Sequence, residues 1–316
     1  VPVYKKGKIT GVKLSGLEAS SFAKSEGLHE DSPEWPGLMS SRDGRVVLAM
    51  NIDCDNVEYR TENINGYDVK VPRVVEGNEA GSLKPRSYEC GTTNGRFVFP
   101  FDILNKGWGR NMNKELNAVS LSFRRFDVVE AIFRVVDPDM AVALDSACES
   151  IITSAVSGRT PGERVRSYAA TDFMAREQSQ QALVKKKVYS DMGLDLNGDL
   201  VFFINNSGYV GECTPSGEIE KGRGEKIKVR DSKKLIDLVE NKKIRKWIEH
   251  PAYGYMIPSP RELEEEHGME NFRERFNLLN YYSPKEIRSF IKRDIKERTQ
   301  FLKNVFHGQE GEEILK

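Results

Sequence analysis

The sequence predicts a mixed α+β protein with a β-rich first third and a helical C-terminus. Three observations lead to this prediction. Strand-like alternation broken by turn residues fills the first hundred residues. The middle third of the sequence shows helical periodicity, followed by the apolar run LVFFI at 200–204. The last third twice shows Ser-Pro-x-Glu ahead of a helical pattern, which is a helix-start signature.

Composition narrows the class of protein. The 316 residues are 38% hydrophobic, with 48 Lys+Arg against 48 Asp+Glu, so the net charge is zero. A packed core is therefore expected, and a general nucleic-acid or membrane-surface binder, which is usually basic, is not. No apolar run approaches the roughly 20 residues that span a bilayer. Residues 1–16 are basic and lack an apolar signal core, which predicts a soluble, cytoplasmic protein.

The spacing of the cysteines is also typical of a cytoplasmic protein. Cys54, Cys90, Cys148 and Cys213 are far apart and form no C-x-x-C pair. This spacing indicates neither a zinc site nor a disulfide framework, so four reduced thiols are expected.

Residues 1–105 are predicted to form a β-rich segment. Arg45 to Asp53 reads as an apolar strand, and Arg96 to Phe101 as another that ends at Pro100. Strand patterns at 57–59 and 67–75 flank Asn65-Gly66, a hairpin turn signal. Residues 76–95, with four glycines, are predicted to be a loop.

Residues 106–258 are predicted to form an α/β core. Asp137-Pro138 should cap a helix that continues through Ile152 and stops near Gly158. A second helix is expected over 171–191, followed by a buried strand over 200–204.

Residues 259–316 are predicted to form a helical segment that packs with the rest as one compact unit. Ser259 and Ser283 each begin a capping box with Pro at the first helical position. After Ser283, apolar residues from Ile287 to Phe306 fall on one helical face. The opposite face is basic, and we expect it to be solvated rather than to bind nucleic acid, because the total charge is balanced.

The segment from Leu200 to Pro258 carries the functional signal. It predicts a buried strand, a glycine-containing loop through Gly222–Glu225, a short strand over 226–230 and a helix capped by Asp231-Ser232. Glycines allow backbone N–H groups to approach phosphate, and a helix N-terminus offers further donors. Such loops also join strands to helices in many proteins that bind no nucleotide.

Three pieces of this segment resemble ATP-dependent phosphoenolpyruvate carboxykinases. Residues 222–236, GRGEKIKVRDSKKLI, resemble that family's adenine-side motif G-x-G-K-R-I-x-x-x-x-T-R-x-I-I. Residues 204–209, INNSGY, resemble its V-N-T-G-W strand end, and residues 253–258, YGYMIP, its F-G-x-x-V-P segment. The order and rough spacing of the three pieces match. The resemblance implies a carboxykinase-like mononucleotide-binding domain.

The resemblance also implies site residues. Lys226 stands where the family places an Arg against nucleotide phosphate or substrate, and Ser232 where a Thr contacts the nucleotide. Ile227 would lie against the adenine face, with Gly224 and Lys228 beside it. Glu225 and Lys226 depart from the family's Lys-Arg pair, and a lysine cannot reproduce a bidentate guanidinium contact.

Phosphoryl transfer also needs a phosphate loop and a metal held by carboxylates. No G-x-x-x-x-G-K-[ST] occurs in these residues, so the chain resembles the later part of a carboxykinase, with the loop expected on an absent segment or a partner chain. Asp53 and Asp55 are candidate metal ligands, although strand ends commonly carry solvated acids. Arg60 and Arg73 are candidate catalytic residues, together with Lys226, for an acidic substrate, although surface ion pairs are the usual role of such residues.

The first functional reading is therefore a lyase that interconverts oxaloacetate and phosphoenolpyruvate. It would use ATP or another nucleoside triphosphate with Mg²⁺ or Mn²⁺. The alternatives are a small-molecule or protein kinase of the same superfamily and a non-catalytic nucleotide-sensing subunit.

Overall fold

The computed structural model describes residues 2–13, 20–24, 31–40, 45, 47–50, 57–64, 66–74, 96–106, 116–152, 162–168, 177–214, 218–308 and 311–312. By its internal contacts the chain divides into two compact units. The first unit is residues 13–114. The second is residues 2–12 together with 115–316, so the segments on either side of residue 258 belong to one unit.

The described residues form 17 strands. In order they are β1 (Pro2–Lys5), β2 (Lys8–Val12), β3 (Ser20–Lys24), β4 (Leu48–Met50), β5 (Val57–Ile64), β6 (Tyr67–Val74), β7 (Arg96–Pro100), β8 (Ala118–Phe123), β9 (Phe126–Asp127), β10 (Ile132–Val135), β11 (Cys148–Ile151), β12 (Arg164–Ser167), β13 (Val201–Asn206), β14 (Tyr209–Cys213), β15 (Ile219–Lys226), β16 (Trp247–Glu249) and β17 (Met256–Pro258).

The α-helices are concentrated in the second unit. They are α1 (Trp35–Met39), α2 (Pro138–Ser146), α3 (Gln178–Asp191), α4 (Val229–Glu240), α5 (Pro260–Glu265), α6 (Phe272–Arg275) and α7 (Pro284–Val305). Short 3-10 turns lie at Phe101–Ile103 and Leu278–Asn280. The prediction of a mixed α+β protein is confirmed. No helix in the described ranges combines the length and the apolar character needed to cross a bilayer.

The first unit is built from antiparallel strands. β7 lies between β3 and β4, and its Phe97 and Phe99 are buried in a small core with Leu38 of α1. β5 and β6 form the predicted hairpin, in which Gly66 takes the positive φ of +85° that glycine adopts easily. The Arg45–Asp53 strand pattern appears as β4, with residues 51–53 outside the described residues. The predicted 76–95 loop also lies outside them.

The second unit centres on a five-stranded sheet of order β16-β17-β10-β13-β8. β13 and β8 run parallel, while β10 pairs antiparallel with both β13 and β17. Every residue of β13 is buried, because the sheet is covered on both faces, so the predicted buried strand is confirmed. One core, around Phe133 and Phe202, packs against α2 and α3, and another, around Phe203 and Leu235, packs against α4.

Smaller sheets complete the second unit. β14 lies between β15 and β9, and β11 pairs with β12. β1 and β2 form a hairpin that is tied to α3, because the Ile9 amide donates to Asp191 Oδ2 at 2.8 Å.

Three helix starts follow the sequence signals closely. Asp137 caps α2 by accepting from the Met140 amide, and Ser283 and Glu286 form a complete capping box at the start of α7. Ser259 accepts from the Glu262 amide at the start of α5. Each cap satisfies backbone donors that the first helical turn leaves open.

Two helix predictions need correction. The helix that begins at Pro138 ends at Ser146, and residues 148–151 form strand β11 instead of continuing to Ile152. Glu149 and Ile151 alternate inward there, which the helical reading of the same apolar residues missed. The second helix begins at Gln178, and residues 171–176 of the prediction lie outside the described residues.

Candidate functional site

The candidate site starts at the turn that follows β13. The buried Asn206 side chain accepts hydrogen bonds from the amides of Arg125, at 2.9 Å, and Gly208, at 3.0 Å. Its amide group donates to the carbonyls of Val129 and Tyr209. A Cβ on Gly208 would collide with the Arg125 carbonyl oxygen, so this position requires glycine. Residues 204–209 (INNSGY) are thus the end of β13, a hydrogen-bonded turn at Ser207-Gly208 and the first residue of β14.

The predicted glycine loop is a β-hairpin. Residues Gly222–Glu225 lie within β15, which pairs antiparallel with β14 so that Gly224 faces Gly211. A Cβ at Gly224 would lie 2.5 Å from the Val210 carbonyl oxygen. The glycine therefore allows two strands to approach each other, a role that composition alone does not distinguish from a phosphate loop.

The predicted strand over 226–230 is also wrong, because helix α4 begins at Val229 with Lys228 as its N-cap. Asp231 and Ser232 accordingly lie in the first turn instead of capping the helix. Asp231 pairs with Arg275 at 2.6 Å, and Arg275 also binds Glu225 at 2.9 Å. Glu225, a departure from the family motif, is therefore held in an ion pair.

Two hydrogen bonds and one strand pairing connect the motif pieces to the same sheet. Ser232 Oγ donates to Asn205 Oδ1 at 3.1 Å, and the Ile227 amide donates to the Gly208 carbonyl at 3.1 Å. β17, which ends the third piece, pairs with β10 next to β13. The first two pieces are therefore in contact, and the third lies in the same sheet as β13, with β10 between them.

The individual motif residues differ in exposure. Lys226 and Lys228 are exposed, and Ser232 is half-buried. The Ile227 side chain is only 4% exposed and packs in the core with Val201, Phe203 and Leu235. The structure therefore gives this side chain a core position between β13 and α4 and not an open surface for adenine. An apolar residue between two exposed lysines at the start of an amphipathic helix is the sequence signal for that position.

An apolar cavity of about 140 Å³ adjoins the third motif piece and Val210, the residue that follows the first piece. Val210 and Pro258 form part of its wall, together with Ala131, Ile132 and Phe272. Glu130 and Arg273 are its charged lining residues. A cavity of this size and character accepts a group as large as one aromatic ring.

Glu130 connects that cavity to a hydrogen-bonded chain. Tyr255 Oη donates to Glu130 Oε2 at 2.5 Å, and His250 Nε2 lies 3.3 Å from Glu130 Oε1. His250 Nδ1 accepts from the amides of Ala252 and Tyr253, so the proton of the neutral ring is on Nε2, facing Glu130. Burial, reinforced by the Glu130 charge, raises the pKa of Tyr255 and keeps the phenol protonated.

A buried ion cluster lies beyond the carboxyl end of β8, where sequence analysis placed no site. Arg125 contacts the carboxylates of Asp127, Glu149 and Asp294, and all four side chains are at most 2% exposed. Around them lie further cations, which pair with the same acids: Arg164, Arg166 and Arg298.

The arginines of the cluster stabilise its carboxylates in the ionised form. Burial alone would raise the pKa of Asp294, but the charges of Arg125, Arg298 and Arg166 outweigh burial and hold the pKa far below its usual range. Tyr253 Oη donates to Asp294 Oδ2 at 3.1 Å. Asp294 comes from the buried face of α7, one turn after Phe290, and neither Asp294 nor Arg298 is among the residues of the face predicted to be solvated, which are Arg288, Lys292, Arg293, Lys296 and Glu297. The i, i+4 spacing of Asp294 and Arg298 was the signal available in the sequence.

The remaining predicted residues belong to the first unit or lie outside the described residues. Asp53 and Asp55 lie outside the described residues. Arg60 and Arg73 belong to the β5–β6 hairpin of the first unit, where they stand opposite Val71 and Glu58. Within the ranges that the structure describes, no group of three His, Cys, Asp or Glu side chains is arranged to hold a metal.

The two described cysteines, Cys148 and Cys213, are free thiols. Burial raises the pKa of Cys213 to about 12, so it remains a thiol at neutral pH. Cys54 and Cys90 lie outside the described residues.

A comparison of the chain with protein-family models finds no match, and a comparison with curated proteins finds no significant match either.

Proposed function

We propose that this chain binds a nucleotide through the segment from Leu200 to Pro258, in the manner that the carboxykinase resemblance implies. The observation that supports the proposal is the convergence of the three motif pieces. Ser232 bonds to Asn205, Ile227 bonds to Gly208, and β17 and β13 both pair with β10. The first two pieces are thus in contact through the β14–β15 hairpin and Ser232, and the third belongs to the same sheet as β13.

The exposed ends of this segment suit a phosphorylated ligand. Lys226 ends β15 and Lys228 caps α4, so two ammonium groups flank the start of a helix. A helix N-terminus favours negative charge through its unpaired amides and its dipole. Ser232 supplies a hydroxyl in the first turn. Because the Ile227 side chain is buried, the base would contact the backbone there.

The reaction that the resemblance implies is interconversion of oxaloacetate and phosphoenolpyruvate with a nucleoside triphosphate and Mg²⁺ or Mn²⁺. In this proposal Lys226 contacts phosphate or substrate as a point charge. The buried carboxylates of Asp127, Glu149 and Asp294 do not suit a metal, because guanidinium groups already hold each of them. Asp53 and Asp55 are the proposed ligands, with the phosphate loop supplied from outside these residues.

A second candidate, a non-catalytic nucleotide-sensing subunit, is favoured by the buried ion cluster. Open α/β sheets bind ligands beyond the carboxyl ends of their parallel strands. Here that region, after β8 and beside the end of β13, contains Arg125 and its three carboxylate partners. The chain's own charges therefore occupy the place where a reacting group would be expected.

Isothermal titration of the full chain with Mg·ATP tests nucleotide binding. We expect saturable binding that Lys226→Gln weakens roughly tenfold, since a charge-assisted contact to phosphate is lost. Lys221→Gln is the matched control, because Lys221 is exposed on the same strand, and it should bind as the wild type does. Absence of ATP binding, or equal losses in both variants, would contradict the proposal.

Oxaloacetate-dependent nucleotide turnover separates the two candidates. Turnover that requires oxaloacetate supports the lyase. Nucleotide binding without turnover, in the chain together with any copurifying partner, supports the sensing subunit.

A further inference from the structure

A cavity of about 250 Å³ lies at the C-terminal end of α4, in the second unit. Leu238 and Val239, from the last turn of the helix, form one part of its wall, and Arg134 of β10 and Trp247 of β16 form another. The Trp247 indole is fixed in orientation, because its Nε1 donates to the Ile244 carbonyl at 3.2 Å. Cζ of Arg134 lies 5.9 Å from the centre of that ring. The cavity therefore presents an oriented aromatic side chain next to a guanidinium group.

Arg134 is a buried cation that has no carboxylate partner in the part of the chain that the structure describes. It is only 6% exposed, and its buried Nε has no acceptor there. Its Nη2 donates to the Asp195 backbone carbonyl at 2.9 Å, while the Asp195 carboxylate accepts from the Asn197 amide at 2.7 Å. Burial lowers the pKa of Arg134, and the charge of Asp195 offsets only part of that effect. Because a guanidinium has five N–H donors, this side chain retains donors for a further acceptor.

The second buried arginine of this unit shows how such a charge is usually compensated. Arg125 is 2% exposed and contacts three carboxylates. A buried charge is costly unless it is paired and hydrogen-bonded. Arg134 makes no ion pair of this kind with the described residues, and it lines a cavity that is large enough for a ligand. An anion bound in that cavity would supply the counter-charge.

The two other cations in the described lining of the cavity already have partners. Lys242 Nζ donates to the Gly198 carbonyl at 3.3 Å and lies 3.9 Å from Asp199. Arg245 pairs with Glu266 at 2.8 Å. The one uncompensated charge beside the cavity therefore matches a monoanion. The C-terminal end of α4 carries the negative pole of the helix dipole, which disfavours a dianion such as phosphate further.

We propose that this cavity binds a small aromatic monocarboxylate, with its carboxylate on Arg134 and its ring beside Trp247. A planar carboxylate matches the planar donor fork of a guanidinium group. Apolar cavities of roughly 150 Å³ hold benzene, so about 250 Å³ is enough for a molecule of the size of benzoate. The proposal is independent of the nucleotide site, because Lys228 and Ser232 lie at the opposite end of α4.

Calorimetric titration of the full chain with benzoate, benzamide and inorganic phosphate tests the proposal. We expect saturable binding of benzoate, and binding of benzamide that is weaker by roughly tenfold or more, because benzamide has the ring without the charge. Phosphate should bind no more tightly than benzamide.

Two variants locate the site. Arg134→Met should weaken benzoate binding by roughly tenfold or more, since methionine is a flexible apolar side chain without N–H donors. Lys243→Gln is the matched control, because Lys243 is exposed and lies next to Lys242 in sequence but outside the cavity lining. Its affinity for benzoate should stay within about twofold of the wild type.

Failure of the folded wild type to bind benzoate would overturn the proposal, and so would equal affinities for benzoate and benzamide. Equal losses in Arg134→Met and Lys243→Gln would mean that benzoate senses only the general positive charge of this surface. Tighter binding of phosphate than of benzoate would contradict the assignment of a monoanion. Circular dichroism checks the fold of each variant, and if Arg134→Met does not fold, the three probes on the wild type still decide.

Discussion

At the residue scale, Arg125 and Asp294 determine the character of the second unit. They are 2% and 1% exposed, come from positions 169 residues apart, and contact each other at 2.8 Å. A charge with so little solvent around it is tolerated only when it is paired and hydrogen-bonded. The sequence shows each as one charge among 96 Lys, Arg, Asp and Glu residues, so the pairing was not predictable without the tertiary fold.

Asp294→Asn should therefore be strongly destabilising. The change removes one of the two buried carboxylates that Arg125, Arg166 and Arg298 share, leaving only Glu149. Breaking buried pairs in this way costs about 3–5 kcal/mol. Glu297→Gln is the control, because its side chain is 38% exposed, and it should cost less than about 1 kcal/mol. Urea unfolding measures both. Equal losses in the two variants would show that the cluster is not desolvated in solution.

At the element scale, local signals predicted three helix starts well, but they predicted the start of α4 and the glycine-rich segment badly. The starts at Pro138, Pro260 and Pro284 follow from local cap chemistry, which depends on residues within one turn. Gly222–Glu225 depends instead on its pairing with β14, a contact that composition does not encode. Glycine serves a turn, a ligand loop and a close strand approach equally, so its presence did not identify which one applies.

Gly224→Ala tests the strand interpretation of that segment. The added methyl group would meet the backbone of Val210 and Glu212, and such overpacking costs about 1–3 kcal/mol. Lys221→Ala, at an exposed position of the same strand, should change the free energy of unfolding by about 0.5 kcal/mol or less. Thermal or urea unfolding gives both values. A neutral Gly224→Ala would indicate that residues 222–225 do not pair with β14.

At the scale of the whole molecule, the sequence predicted the fold class but not the boundaries of the two units. The balance of strand and helix patterns was enough for a mixed α+β protein, and LVFFI identified the central strand because a strand buried on both faces is apolar throughout. The division into units follows from which strands share a sheet. β1 and β2 belong with residues 115–316, a long-range association that no local pattern reveals.

The candidate site also depends on long-range contacts that no local pattern reveals. The motif pieces were identified from their residues, and their convergence depends on β10, which pairs with both β13 and β17. The core position of Ile227 and the ion cluster have local sequence signals, but their partners depend on tertiary packing and were not predictable from the chain. A nucleotide site here would consequently be a surface of the folded unit, built on its central sheet.

Hydrogen exchange with and without Mg·ATP tests the nucleotide site most directly. The backbone amides of residues 224–232 should exchange more slowly in the presence of saturating ATP, with smaller changes in the first unit's β5–β6 hairpin. Unchanged exchange across residues 224–232 while ATP is bound would contradict the proposed site and direct attention to another surface of the chain.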